Sequence, residues 1–404
     1  NSAKNSIYLS FSKNYSYCII DIFYMRKDLI LLFVISLLFL ENINSQKERR
    51  VITTAVPFLL ISSDARASGL GDQGVSTSAD NFSQHWNQSK FIFTENNSGF
   101  GFSYTPYLSS VVSDVFLGNL TYFRRNSERS VWSFSLKYFS LGEIDILENP
   151  LDIPIVESPN EFTIDAGYGL RLSDNLSLGI TGRFLLSDVK LQSFDSDTEL
   201  ASSIAVDISG FYQSNSFRLG SNDAIYRAGF NISNLGPKMK YSEMGEENFI
   251  PSNFRIGSGL EFIYDSNNSL TLTIEINKLL VPTPNVPVYG PDGSTIVSYS
   301  QPDIGFLSGI FKSFNDAPDG FSEELKELTY SLGLEYSFND VFFLRSGYFN
   351  EHELKGSRKF FTLGAGFNTQ SNFQIDLSYL ISTSDVISPL ENTLRFSLSY
   401  NIFD

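Results

Sequence analysis

The chain has 404 residues, of which 42% are hydrophobic, 15% aromatic and only 18% charged. Its formal charge of −16 (29 Lys and Arg against 45 Asp and Glu) excludes a nucleic-acid binder, because phosphate contacts require Lys and Arg. So much Phe, Tyr, Leu and Ile excludes disorder, and beyond the N-terminal region no apolar run is long enough for a polytopic helical membrane protein.

In chain order, residues 1–24 read as upstream read-through, and Met25 opens a secretory signal over residues 25–45. Arg26-Lys27 form its charged start, and the apolar run Leu29–Leu40 is too short to span a bilayer. Gln46 is the expected mature N-terminus. The single cysteine, Cys18, lies upstream of the signal, so a disulfide framework, a Cys-ligated metal and a lipidated N-terminal Cys are not expected. Export without disulfides fits a bacterial envelope protein.

Residues 46–97 are too long for an unstructured tail. Val51–Ile61 is apolar, Asp64 and Arg66 add charge, and Gly69, Gly71 and Gly74 mark tight backbone. Asp80–Phe93 fits a short helix with Phe82, Trp86 and Phe91 on one side. This segment, with Trp86 and Asn87, is the candidate plug.

Residues 98–404 then alternate apolar and small polar residues with period 2, in segments of about ten. Trp132, Phe134, Leu136 and Tyr138 alternate with Ser133, Ser135 and Lys137; Leu394, Phe396, Leu398, Tyr400 and Ile402 alternate with Arg395, Ser397, Ser399 and Asn401. About fourteen such strands start near Ser98, Val115, Val131, Glu161, Leu176, Ser202, Ile225, Phe254, Ser269, Thr329, Val341, Phe360, Phe373 and Asn392.

The charges follow one register. Lys137, Asp165, Arg171, Arg183, Asp207, Arg227, Arg255, Glu261, Glu275, Glu335, Arg345, Asp376 and Arg395 all lie opposite the large apolar residues. A charge facing lipid at mid-membrane costs roughly 2–4 kcal/mol, which accounts for the segregation. Arg124 and Lys278 break the pattern at strand ends, where each is expected to snorkel to an interface.

Connections after even-numbered strands are mostly tight and those after odd-numbered strands mostly long, with Ser214–Asp223 the exception. This is the loop pattern of an outer-membrane barrel, with the long loops extracellular and the N-terminal end inside. An even strand number closes the sheet and leaves no edge unpaired in lipid. The fold class is therefore an all-β transmembrane barrel of about fourteen antiparallel strands. A barrel this wide cannot be filled by its own side chains, so residues 46–97 are expected to plug its lumen, with a small periplasmic cap as the alternative.

Among the long loops, Leu279–Leu328 is unusual. It opens with Pro282, Pro284 and Pro287, then carries Ile304, Phe306, Leu307, Ile310, Phe311 and Phe314, and later Phe321 and Leu325. Exposed apolar material of this kind marks a partner surface or a loop folded over the barrel mouth.

Catalytic and metal signatures are missing. His85 and His352 are about 270 residues apart with no ligand spacing around either, and no G-x-S-x-G or Gly-rich phosphate loop occurs. Asp195–Glu199 reads as a solvated acidic loop before it reads as a calcium site. Neither enzyme activity nor a cofactor is expected.

One stretch is more specific than the barrel pattern. ITTAVPFLLISSDARASGLGD (Ile52–Asp72), continued by Gly74–Asp80 and His85-Trp86-Asn87, resembles the start of the mature PorV (LptO) family of the type IX secretion system. The similarity extends from Gln46 to Asp404, with Gln88 standing where the family has Pro. The resemblance implies a FadL-like barrel with an N-terminal plug and no enzymatic activity. Its implied partners are a giant translocon barrel, cargo proteins with a C-terminal signal domain and a surface attachment complex containing the sortase, besides outer-membrane lipid. The competing expectation is a FadL-type transporter of hydrophobic small molecules; a general porin fits poorly with so long a plug segment.

Overall fold

The computed structural model describes residues 50–404 except 110, 148–152, 190–198, 243–244, 246, 285–286, 290–295, 300–303, 370, 385, 387 and 403–404, and side chains are not described over 285–303. The expected read-through, signal, mature N-terminus and Cys18 lie outside the described residues, as do Asp195–Thr198.

Fourteen long strands form the wall: β1 (Ser98–Pro106), β2 (Val115–Ser127), β3 (Ser130–Leu141), β4 (Asn160–Arg171), β5 (Leu176–Asp188), β6 (Ala201–Gln213), β7 (Asn222–Leu235), β8 (Asn253–Ile263), β9 (Ser269–Leu279), β10 (Leu328–Phe338), β11 (Phe342–Asn350), β12 (Lys359–Asn368), β13 (Phe373–Ser382) and β14 (Leu394–Ile402). Each pairs antiparallel with its sequence neighbours, and β14 pairs with β1 from Ser98↔Ile402 to Tyr104↔Phe396. The sheet is closed, so no backbone edge is left without a partner. The strand starts lie within three residues of those read from the alternation.

The wall is inside out relative to a soluble domain. Phe100, Phe134, Leu136, Ile164, Ile180, Ile204, Leu272, Ile274, Leu344 and Leu363 are exposed on the outer face. Of the thirteen charges assigned to the opposite register, all are buried except Arg171 and Glu261, which are half-buried. Lipid outside and polar groups inside dictate the period-2 pattern, which is why it reads so clearly in the sequence.

Long connections gather at one end of the barrel and short turns at the other. The exceptional turn after β6 is a hairpin extension: Phe217–Leu219 pairs with Asn222–Ala224, and Gly220 takes φ 64 at its tip. Two further short hairpins, Ile144–Ile146 with Ile155–Glu157 and Pro287–Tyr289 with Ile296–Tyr299, lie within long loops.

Candidate functional site

Residues 50–97 run through the ring of inward side chains. Arg50 N donates to Leu354 O in the loop after β11, and Val56, Phe58 and Leu59 pack with Val115, Phe139, Leu185, Met239 and Ile250 at the long-loop end. Phe91 and Ile92 pack with Phe123 and Val131 at the short-turn end, where the chain enters β1. Arg50 thus lies at the long-loop end of the barrel, and β1 starts at the short-turn end.

Between these ends each expected residue has a distinct job. Asp64 caps helix α1 (Ala65–Gly69): its Oδ1 accepts from Ala67 N at 2.8 Å, and its Oδ2 accepts from Trp86 Nε1 at 2.8 Å. Arg66, on α1, grips Glu335 of β10 with two hydrogen bonds (3.0 and 2.8 Å) and donates to Asp80 at 2.9 Å. Glu335 also accepts from Arg345 (2.6 Å), which donates to Asp376 at 2.6 Å. Five strand and segment charges, Asp80, Arg66, Glu335, Arg345 and Asp376, therefore form one alternating chain, the arrangement in which buried ions compensate one another.

The glycines permit close backbone approach. Gly69 lies against Gly364 of β12; Gly71 has φ +84, and a Cβ there would stand 2.9 Å from the Tyr348 backbone. Only glycine fits both the angle and the space. Arg395 closes this region, donating to Asp72 (2.7 Å) and to Ser68 Oγ.

Trp86 ends helix α2 (Ser83–Trp86), with its ring covered by the Arg255 guanidinium 4.8 Å away. Asn87 then takes an extended conformation, accepts from Ser89 N and donates to Val75 O and Gly210 O. This cap divides the expected Asp80–Phe93 helix in two: α2, then a 3₁₀ turn at Gln88–Phe93. Phe82, Trp86 and Phe91 are nonetheless all buried. Gln88 occupies the first position of the 3₁₀ turn, where proline is equally tolerated, and its Oε1 accepts from Ser133 Oγ at 2.6 Å. Glu275 of β9 accepts from both Gly74 N and Val75 N at 2.9 Å. His85 is buried, with Lys137 Nζ donating to its Nδ1 at 2.6 Å. Among the described residues no group of His, Cys, Asp and Glu is arranged to hold a metal ion.

The loop after β9 supplies the second candidate region. Helix α3 (Phe306–Lys312) and helix α4 (Phe321–Glu324) form an elbow. Leu307, Phe311 and Phe314 are exposed, whereas Ile304, Phe306 and Ile310 are half-buried. Gly309 faces inward against the Phe249 ring and Pro282.

Lys278 corrects a sequence expectation. It does not snorkel: it is buried, with its Nζ donating to Glu324 (3.1 Å) and Glu327 (2.7 Å). Lys355 donates to Glu323 and Glu327, both at 2.8 Å, and Arg50 donates to Glu323 at 2.9 Å. Three cations from three distant places thus hold the elbow's three acids. Burial works to raise the Glu323 carboxyl, but the Lys355 ammonium and the Asp319 amide outweigh it and hold it below the usual range. Burial pulls Lys355 down, and its hydrogen bonds to Glu323 and Glu327 more than restore it, leaving it raised. The sequence reading missed this cluster; the out-of-register Lys278 was its one visible sign. Arg124 is exposed at its strand end.

The type IX secretion system protein PorV family model matches residues 44–286, more than half of the chain. Solved structures with a similar fold include a monoaromatic hydrocarbon channel, the TodX deltaS2S3 mutant: 12% identity, TM-score 0.50, covering 84% of this chain and 99% of that one. They also include the toluene transporter TodX of Pseudomonas putida (12%, TM-score 0.46, 87% and 98%) and a FadL homologue of Pseudomonas aeruginosa (11%, TM-score 0.43, 87% and 99%). No curated protein sequence matches the chain.

Proposed function

The chain belongs to the PorV family of the type IX secretion system, and from that premise we propose that it captures secreted cargo at the outer membrane and passes it onward. It is an outer-membrane β-barrel with a FadL-like fold, a component of that secretion system, and of a family that is not enzymatic. The proposal goes further. The barrel binds the C-terminal signal domain of cargo emerging from the giant translocon barrel and delivers it to the surface attachment complex with the sortase. The long loops face outward, and residues 50–97 act as a plug that keeps the lumen from serving as the conduit.

The observation that carries this reading is the elbow. A barrel meant for lateral protein contacts needs an exposed apolar grip on a rigid mount, and Leu307, Phe311 and Phe314 are displayed on a loop clamped by buried ion pairs. Ile304, Phe306, Leu307, Ile310, Phe311 and Phe314 are the proposed partner-binding residues. Deleting Ile304–Phe314 is expected to leave a folded, inserted barrel that no longer supports cargo secretion; secretion at normal levels from the deleted protein rejects the assignment.

One observation favours a second reading. A cleft of about 480 Å³ opens on the outer wall across β5–β9, lined by Leu176, Tyr212, Tyr226, Phe230, Ile256 and Ile274. Ligand pockets of about 300–1,000 Å³ with apolar linings suit small hydrophobic molecules. The second reading is therefore a FadL-type transporter of such molecules across the outer membrane.

A further inference from the structure

The elbow shares the inverted arrangement of the barrel wall. Its acids Glu323, Glu324 and Glu327 are buried, while its large apolar side chains Phe311 (77%), Phe321 (74%), Leu307 (58%), Leu325 (52%) and Phe314 (51%) are exposed. A water-facing loop of this size would place those acids outside and the aromatics beneath. In the strands the same inversion has one cause, an apolar medium outside.

The position of the elbow is fixed by Lys278. Along β9 the outward register runs Leu272, Ile274 and Ile276, all exposed, and Lys278 is the next residue in that register. Its partners are Glu324 and Glu327, and its Nζ lies 5.8 Å from the centre of the Phe314 ring. The elbow therefore reaches over the outer side of the wall rather than only across the mouth. Lys278 is two residue steps beyond Ile276, about 7 Å at the usual rise. An interfacial helix buries its apolar face about 5–10 Å into the boundary between headgroups and acyl chains, so the elbow lies within reach of that layer. Lys312 is exposed beside Phe311, where its ammonium can meet lipid phosphate.

We propose that the exposed apolar face of the α3–α4 elbow is seated in the lipid leaflet at the long-loop end of the barrel. The face is continuous with the lipid-facing band of β9, and the buried ion pairs to Lys278, Lys355 and Arg50 are its mount. This goes beyond the partner-binding reading: a protein that grips the elbow must reach it at the membrane surface, displacing lipid.

The test places a polarity-sensitive dye on Ser322→Cys, with Cys18→Ser, in the full barrel reconstituted into phosphatidylcholine nanodiscs. Nitroxide attached near the lipid headgroup is expected to quench the dye by about half or more, and aqueous iodide to quench it little. Adding Phe311→Ser and Phe321→Ser, which leaves every buried contact in place, is expected to reverse that order. A dye quenched by iodide and not by nitroxide lipid in the unsubstituted elbow overturns the proposal. So does lipid quenching that survives the double substitution. Neither result bears on cargo secretion, which the Ile304–Phe314 deletion reads separately.

Discussion

Glu335 is the residue whose loss the barrel interior should tolerate least. It lies between Arg66 and Arg345, so Glu335→Gln leaves two buried guanidinium groups with Asp80 and Asp376 as the carboxylates they still pair with. Breaking a buried ion network from one side costs about 3–5 kcal/mol. Glu353→Gln, which removes an exposed pair with Lys359, is expected to change stability by less than about 1 kcal/mol. Urea unfolding followed by the mobility shift of the folded barrel on unheated gels compares the two. Gly71→Ala is expected to destabilise by more than about 1 kcal/mol, since φ +84 and the Tyr348 backbone both oppose a side chain. Asp64, Arg66, Gly69, Gly71, Trp86 and Asn87 stood out in the sequence through local density of charge, glycine and aromatic residues. Their partners Glu335, Tyr348, Gly364, Arg255 and Gly210 could not be read there, because closure of the barrel brings them together across more than a hundred residues.

At the scale of elements, the strands were legible because lipid imposes a period on every one of them, and thirteen charges kept to it. Segments without that constraint were less legible. The single helix expected over Asp80–Phe93 is broken by the Asn87 cap, a local hydrogen-bonding choice that competes with apolar periodicity. The elbow's mount was hidden because Arg50, Lys278 and Lys355 are scattered in sequence. That mount has a definite pH dependence. Glu323 titrates below its ordinary value, so its contribution is complete above that value and is lost as pH falls through the depressed one. Lys355 titrates above its ordinary value, so its contribution is complete below that value and is lost only as pH rises through the raised one. A spin label on Ser322→Cys is expected to stay immobile from about pH 5 to 10 and to become mobile in stronger acid. Mobility that stays unchanged as the pH is lowered until the barrel itself unfolds would contradict the clamp.

For the whole molecule, the closed antiparallel ring of fourteen strands and the family both emerged from sequence, the first from alternation and the second from the Ile52–Asp72 run. What alternation could not reveal is the path of residues 50–97, which enter at the long-loop end and leave at the short-turn end. If that segment is the plug, the intact barrel is expected to pass little current across a planar bilayer, and a variant lacking residues 50–94 to form an open pore. Whether the barrel works through its partners or its interior is then decided by what it holds in its own membrane. The measurement is a mild-detergent pull-down of the tagged protein from native outer membranes, read by mass spectrometry. The expected result is a very large barrel together with secreted proteins sharing a C-terminal domain. Recovery of the barrel alone, carrying only small hydrophobic molecules, would contradict cargo capture and favour the transporter.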